Sequence, residues 1–205
     1  MGRAVKHKID PSSRDLRWVP RDTTELDCSG SSIVTLAGAP QGLKILSLNT
    51  CYSLASLAGL PEGLETLSCR HTNLKSLEGL PSTLKRISVA GCRLLESLTG
   101  LPEGLLELYC QKCPKLDSLE GLPSTLQVLD CSQCEKIRSV RPPPGLKSLT
   151  AEGCKLDLDL GLDLLRLRLR KFQADYPFVV DTPPQTVFRR KLELRLQNLP
   201  SRLST

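Results

Sequence analysis

Nine cysteines are the residues of this 205-residue chain best suited to chemistry, and four of them stand at a spacing that zinc sites use. Cys110-x-x-Cys113 is followed after 17 residues by Cys131-x-x-Cys134. Two such pairs can close the tetrahedral shell of a zinc ion with four thiolates. The same residues have a simpler explanation. Cys110 and Cys131 each stand two places after a leucine, and they lie 21 residues apart; Cys113 and Cys134 repeat that interval. Cys28, Cys51, Cys69, Cys92 and Cys154 fall in the same two places without completing a second pair of pairs. A zinc site does not call for these five, whereas a periodic structure does. The first slot calls for a small apolar group, and the second for one that reaches turn backbone, which a thiol does weakly. No metal and no cofactor is therefore expected. The odd count and the one-by-one placement also argue against disulfides, and buried free thiols suit a reducing cytosol. His7 and His71 are the only histidines. His71, close to Cys69, is expected on the other side of the strand wall from that thiol, so no nucleophile and base come together and no catalytic set is expected.

The elements that must carry these thiols are spelled out by leucine. The frame Leu-x-x-Leu-x-Cys-x-x-Cys-x-x-Leu-x-x-Leu-x-x-Leu-Pro, written in full from Leu105 to Pro123, restarts at Leu43, Leu64, Leu84, Leu105, Leu126 and Leu146. The steps are 21, 20, 21, 21 and 20 residues, and a fixed period of this size marks a solenoid of stacked units. Positions 4 and 6 of the frame alternate with polar residues, as a short strand with one buried face does. Position 1 and the later leucines must reach the same interior from the return path. One unit cannot bury so many leucines, but stacked units can, with strands pairing in parallel about 4.8 Å apart. The return leg is short and carries Gly-Leu-Pro, which predicts an extended or polyproline-like path with a tight corner and little helix. The linkers alternate between Pro-Glu-Gly (61–63, 102–104) and Pro-Ser-Thr (81–83, 123–125), the trace of a duplicated two-repeat unit.

The spacing Leu-Pro-x-x-Leu-x-x-Leu with so short a return resembles the leucine-rich-repeat effectors that Gram-negative pathogens inject by type III secretion, the YopM and IpaH type. The resemblance covers roughly residues 19 to 156. It implies a leucine-rich-repeat solenoid of the α/β class, with a parallel concave β-sheet and short extended convex returns. Members of that family usually carry asparagine at the ladder position, where this chain has mostly cysteine, and a preceding pair of helices, of which no long counterpart is evident here. The IpaH type often adds a ubiquitin-ligase domain whose nucleophile sits in Cys-x-Asp. None of the nine cysteines has Asp two residues on, and the 49 residues after Leu156 are too few for that domain.

Three segments are expected: a flexible basic stretch at 1–15, the solenoid at 16–156 with about six or seven repeats, and a cap with a basic tail at 157–205. Thr23 to Leu36 reads as a degenerate first unit, with Trp18 covering the exposed leucine end. From Asp157 to Arg170 leucine alternates with Asp or Arg as in a strand, while Leu158, Leu162, Leu165 and Leu169 also form a helical stripe, and periodicity alone does not choose. Leu196-x-x-Leu199-Pro200 resumes the repeat tail, as if another unit were due.

The formal charge of +6 belongs to the ends. Residues 1–21 hold six Arg and Lys against two acids and residues 166–205 nine against three, which leaves 13 basic and 17 acidic residues for the body. A nucleic-acid partner wants a basic face, which the body lacks. No apolar run reaches membrane-spanning length, and no signal-peptide hydrophobic region follows the amino terminus. The wall of the sheet that faces outward should expose frame positions 2, 3, 5, 7 and 8. In the middle units these include Arg70, His71, Lys85 and Arg86 on one side, and Glu107, Tyr109, Gln111, Lys112 and Asp130 on the other. Ser88, Ala90 and Gly91 leave a shallow place beside Tyr109. A mixed polar wall with one tyrosine suits the grip of a protein. The expected function is thus a non-enzymatic protein-binding module, monomeric, acting as a secreted effector on a host protein in the host cytoplasm. A substrate-recognition fragment of an effector ubiquitin ligase and a cytoplasmic repeat scaffold without virulence role are the alternatives.

Overall fold

Leucine and isoleucine at frame position 4 decide where the chain turns into strand. Flanked on both sides by polar residues, each is the middle of a three-residue segment that can bury one side chain only. In the computed structural model, which describes residues 12–154 and the strand backbones at 6–8 and 171–174, these segments are β2 (Glu25–Asp27), β3 (Ile45–Ser47), β4 (Thr66–Ser68), β5 (Arg86–Ser88), β6 (Glu107–Tyr109), β7 (Val128–Asp130) and β8 (Ser148–Ala151). The flanking strands β1 (Lys6–Lys8) and β9 (Lys171–Ala174) extend the sheet at its two ends. All nine run in parallel in chain order.

The register is that of the repeat. Leu26 pairs with Leu46, Leu46 with Leu67, and so through Ile87, Leu108 and Leu129 to Leu149, a single column beneath the sheet. A slip of one residue would bring that column to the outside, so burial pins the pairing. The frame leucines at position 1 and on the return leg meet the column from behind, and one continuous core runs from Leu16 to Cys154. Leu80, Leu101 and Leu122, which precede the linker prolines, are only partly buried against it.

Two corners turn each coil. The first follows the strand at frame position 8, where Gly30, Thr50, His71, Gly91, Lys112, Gln133 and Gly153 all take positive φ, from 55° to 75°. The second lies on the return leg, at Gly38, Gly59, Gly79, Gly100 and Gly121, where φ reaches 98°. No helix occurs among the described residues, so the returns are turns and extended chain throughout. The linker alternation has a physical counterpart. Thr83 Oγ1 donates to the carbonyls of Glu62 and Leu64, the latter at 2.9 Å, and Thr125 Oγ1 does the same to Glu103 and Leu105, the latter at 2.8 Å. Each Pro-Ser-Thr linker thus clasps the Pro-Glu-Gly linker of the unit before it.

The sheet also takes in β1, within the 1–15 segment, and β9, within the 157–205 segment. One expectation meets a difference. Trp18 does not cover the first coil: it is 48% exposed, while Leu16 and Val19 on either side are buried and Leu16 N–H donates to Ala37 O. The two aliphatic neighbours, not the indole, supply the buried contact there. The choice between helix and strand for 157–170, and the resumed repeat tail near Leu199, lie outside the described residues.

Candidate functional site

All nine cysteines are free and buried, and their two slots do different work. At position 6, Cys28, Cys69, Cys110 and Cys131 are small fillers of the coil interior. At position 9 the thiols form a ladder. Cys51 Sγ donates to Cys28 O, Cys92 to Cys69 O, Cys134 to Cys110 O and Cys154 to Cys131 O, each at 3.1 Å, and Cys113 to Val89 O at 3.3 Å. Thr72 at the same slot gives its hydroxyl to Cys69 O at 2.9 Å, within its own unit. The ladder carries a weak donor from one coil to the strand-end carbonyl of the coil before it. Burial disfavours the thiolate at Cys28, which it pushes up to about 12 with Cys51 and Asp27 adding to the effect, and at Cys69, which it raises well above the ordinary range. No three His, Cys, Asp or Glu side chains among the described residues converge as a metal would need. His71 and Cys69 do lie apart, the ring exposed and the thiol buried. Strand alternation would have put residues i and i+2 on one side, and it is the left-handed turn at His71, with φ of 55°, that separates them.

The outward wall of the sheet is where side chains are available. Between β4 and β6 it holds a recess of about 410 Å3. Thr66, Ser68 and Ser88 lie along its floor, and Arg70, Arg86, Glu107, Tyr109 and Gln111 stand around it. The recess exists because the neighbours of Ser88 in the sheet are Ser68 on one side and Tyr109 on the other, so two small side chains abut a large one.

Its walls are tied from coil to coil. Arg86 donates two hydrogen bonds to Glu107, from Nε to Oε2 at 2.6 Å and from Nη2 to Oε1 at 2.7 Å, and the two residues are paired in the register. The Tyr109 hydroxyl donates to the same Oε2 at 2.9 Å. The Arg86 hydrogen bonds hold the Glu107 carboxyl below its usual range, so it stays ionised, while burial and then Glu107 push the Tyr109 hydroxyl up. Gln111 Nε2 donates to Asp130 Oδ2 at 3.0 Å, and Asp130 Oδ1 takes the N–H and hydroxyl of Ser132. Asn49 Oδ1 accepts from Ser68 Oγ at 2.7 Å and from Arg70 N–H at 2.9 Å, which fixes the backbone under Arg70.

Of the residues expected on this wall, Arg70, Arg86, Glu107, Tyr109 and Gln111 meet around the recess, with Asp130 joined through Gln111. Lys85 lies to one side, its Nζ 3.4 Å from Gly104 O. His71 and Lys112 occupy the left-handed corner beyond the strand, and the His71 ring covers Gly91, where a Cβ would come within 2.3 Å of Nδ1. Gly91 and Ala90 are accordingly buried, and the open place lies over Ser88 rather than across all three. Asn49, Thr66 and Ser68 were not singled out in the sequence. Their positions in the strand frame would have placed them on the wall, but their small polar side chains carry no signal of their own.

No family model and no curated protein matches the sequence. Solved structures do. YopM from Yersinia enterocolitica WA-314 superposes with a TM-score of 0.65 at 24% identity over 85% of this chain. The protein is a leucine-rich-repeat solenoid. The chain spans 38% of the length of that YopM, so the likeness concerns the coil and the sheet. A leucine-rich-repeat protein from Bacteroides ovatus ATCC 8483 is matched more loosely, with a TM-score of 0.45 at 18% identity over 75% of this chain and 50% of that one. Among the described residues of the solenoid no helix is long and apolar enough to cross a membrane.

Proposed function

We propose that this solenoid is a non-enzymatic protein-binding module that engages its partner across the outward wall of the sheet, centred on the recess over Ser88. One observation carries the reading. The leucines and thiols are consumed by the interior and by coil-to-coil bonds, whereas the wall between β4 and β6 presents a hollow edged by a tyrosine and two arginines, residue types enriched where proteins grip one another. The finer reading is that of a type III-secreted effector which binds a host protein in the host cytoplasm. It rests on the Leu-Pro-x-x-Leu-x-x-Leu frame and its short return.

The wall is tested with the double variant Tyr109→Ala, Arg86→Glu in the full chain, carried through affinity capture from host cytosol beside the parent protein. The partner held by the parent should be lost by the variant while circular dichroism and melting temperature stay nearly unchanged; undiminished capture would place the contact elsewhere. The effector reading is tested separately with a translocation reporter fused to residues 1–50, whose failure to enter host cells in a type III-dependent manner would remove it.

A further inference from the structure

We infer that the recess is an anchor for a carboxylate: it takes an aspartate or glutamate side chain from an extended acidic segment of a protein partner. This deepens the reading of the wall as a protein-binding face and rests on it. The argument is a count of which polar groups the chain has already used.

Among the cations near the recess, Lys44 is spent on Glu65 at 2.9 Å and Arg86 on both oxygens of Glu107. Arg70 is different. Its backbone is held on both sides, its N–H by Asn49 Oδ1 at 2.9 Å and its carbonyl by Thr50 N–H at 2.8 Å, yet its guanidinium has no partner among the described residues. An unpaired guanidinium rising from a fixed backbone offers a carboxylate a two-pronged pair. On the floor, the Ser68 hydroxyl already donates to Asn49, but the Ser88 hydroxyl has no partner among the described residues. The donors left over are therefore the Arg70 fork and one hydroxyl.

Gln111 closes one edge of the recess: its Nε2 is committed to Asp130 and its Oε1 is closed to solvent, so neither meets an incoming group. The free inventory of the recess is thus a place for an anion. The planar carboxylate of an Asp or Glu side chain matches the guanidinium fork, and an extended segment lying along the wall would bring one to it. A doubly charged phosphate fits less well, since Glu107 stands in the same recess and is kept ionised by Arg86.

The test uses the full-length chain and fluorescein-labelled peptides of one length and background that differ only in a central block of Asp and Glu, of Asn and Gln, of Lys, or of phosphoserine. Binding is read by fluorescence polarisation. The Asp and Glu peptides should bind and the Asn, Gln and Lys peptides should not, with the signal weakened by added salt. Arg70→Gln should weaken acidic-peptide binding about tenfold, Ser88→Ala severalfold, and Lys147→Gln, on the wall outside the recess, not at all. Arg70→Lys, which keeps the charge and loses the fork, should fall between parent and Arg70→Gln. Circular dichroism of each variant confirms the fold. Equal binding of Glu and Gln peptides, absence of binding to any of them, tighter binding of phosphoserine than of Asp, or indifference to both Arg70→Gln and Ser88→Ala would overturn the anchor. A native partner released by the Tyr109 and Arg86 double variant but not by Arg70→Gln would overturn the anchor alone and leave the protein-binding wall standing.

Discussion

The thiol at frame position 9 shows how much a single residue type can say once its surroundings are known. Each thiol there satisfies one backbone carbonyl and weakly, so each rung contributes no more than about 0.5–1 kcal/mol. What cysteine adds is apolar volume in a dry place. A consequence is pH dependence in the alkaline range. In the unfolded chain a thiol loses its proton near 8.5, whereas burial raises Cys28 to about 12 and also raises Cys69 and Cys92. Above the unfolded value the folded state binds more protons than the unfolded one, so stability falls with rising pH by up to about 1.4 kcal/mol per unit for each such thiol, and it is fully present below that value. Urea unfolding under reducing conditions between about pH 7 and 10 should show a flat midpoint at first and then a steep decline; a midpoint unchanged throughout would mean that the thiols are wet. The same burial predicts that iodoacetamide at neutral pH modifies the cysteines of the native chain only after denaturant is added.

At the scale of the coil, the corner glycines separate two causes of strain. Gly100 and Gly121 hold the same corner in consecutive units, with φ of 98° and 81°. A Cβ on Gly100 would approach Leu77 O to 2.7 Å, whereas a Cβ on Gly121 would meet nothing within 4 Å. Gly121→Ala should therefore cost only the left-handed backbone, about 1 kcal/mol, and Gly100→Ala that amount plus a clash with the neighbouring coil, about 2–4 kcal/mol in total. Thermal melts of the two single variants decide it, and equal losses would show that the coils can part at this corner without resistance. The clasps by Thr83 and Thr125 act at the same scale. They explain why the Pro-Glu-Gly and Pro-Ser-Thr linkers alternate: the threonine reaches back to carbonyls that a glycine in its place could not engage.

Across the whole molecule, stability is the sum of the coils and of the contacts between neighbours, because each unit touches only the one before and the one after. A charge placed in the middle of the column should therefore split the stack. Leu108 is fully buried between Ile87 and Leu129, and Leu108→Arg should cost several kcal/mol and abolish a single cooperative transition. A normal melt for that variant would show that the register is not the one described. The wall makes the complementary point, since its residues can be changed without disturbing the column: Arg86 and Tyr109 bond to Glu107 on the outside and to nothing in the core.

Leucine spacing alone was enough to determine the coil, its period, the parallel order of the strands and which face is dry, because these follow from a repeated pattern that only one stacking can bury. It was also enough to assign the cysteines to the interior. What tertiary structure decided is local and non-periodic. The turn at His71 is left-handed, so its ring swings over Gly91. Ser88 is flanked by Ser68 and Tyr109, so the wall opens there. Arg86 is drawn to Glu107, while the Arg70 guanidinium has no partner among the described residues. The strand segments at Lys6–Lys8 and Lys171–Ala174 join the sheet although no leucine frame announces them. The physical reason is the same in each case: a column of buried leucines repeats its energy at every coil and can be read from spacing. The partner a polar side chain finds, by contrast, depends on which residue lies one period away across the sheet, and that pairing exists only once the coils are stacked.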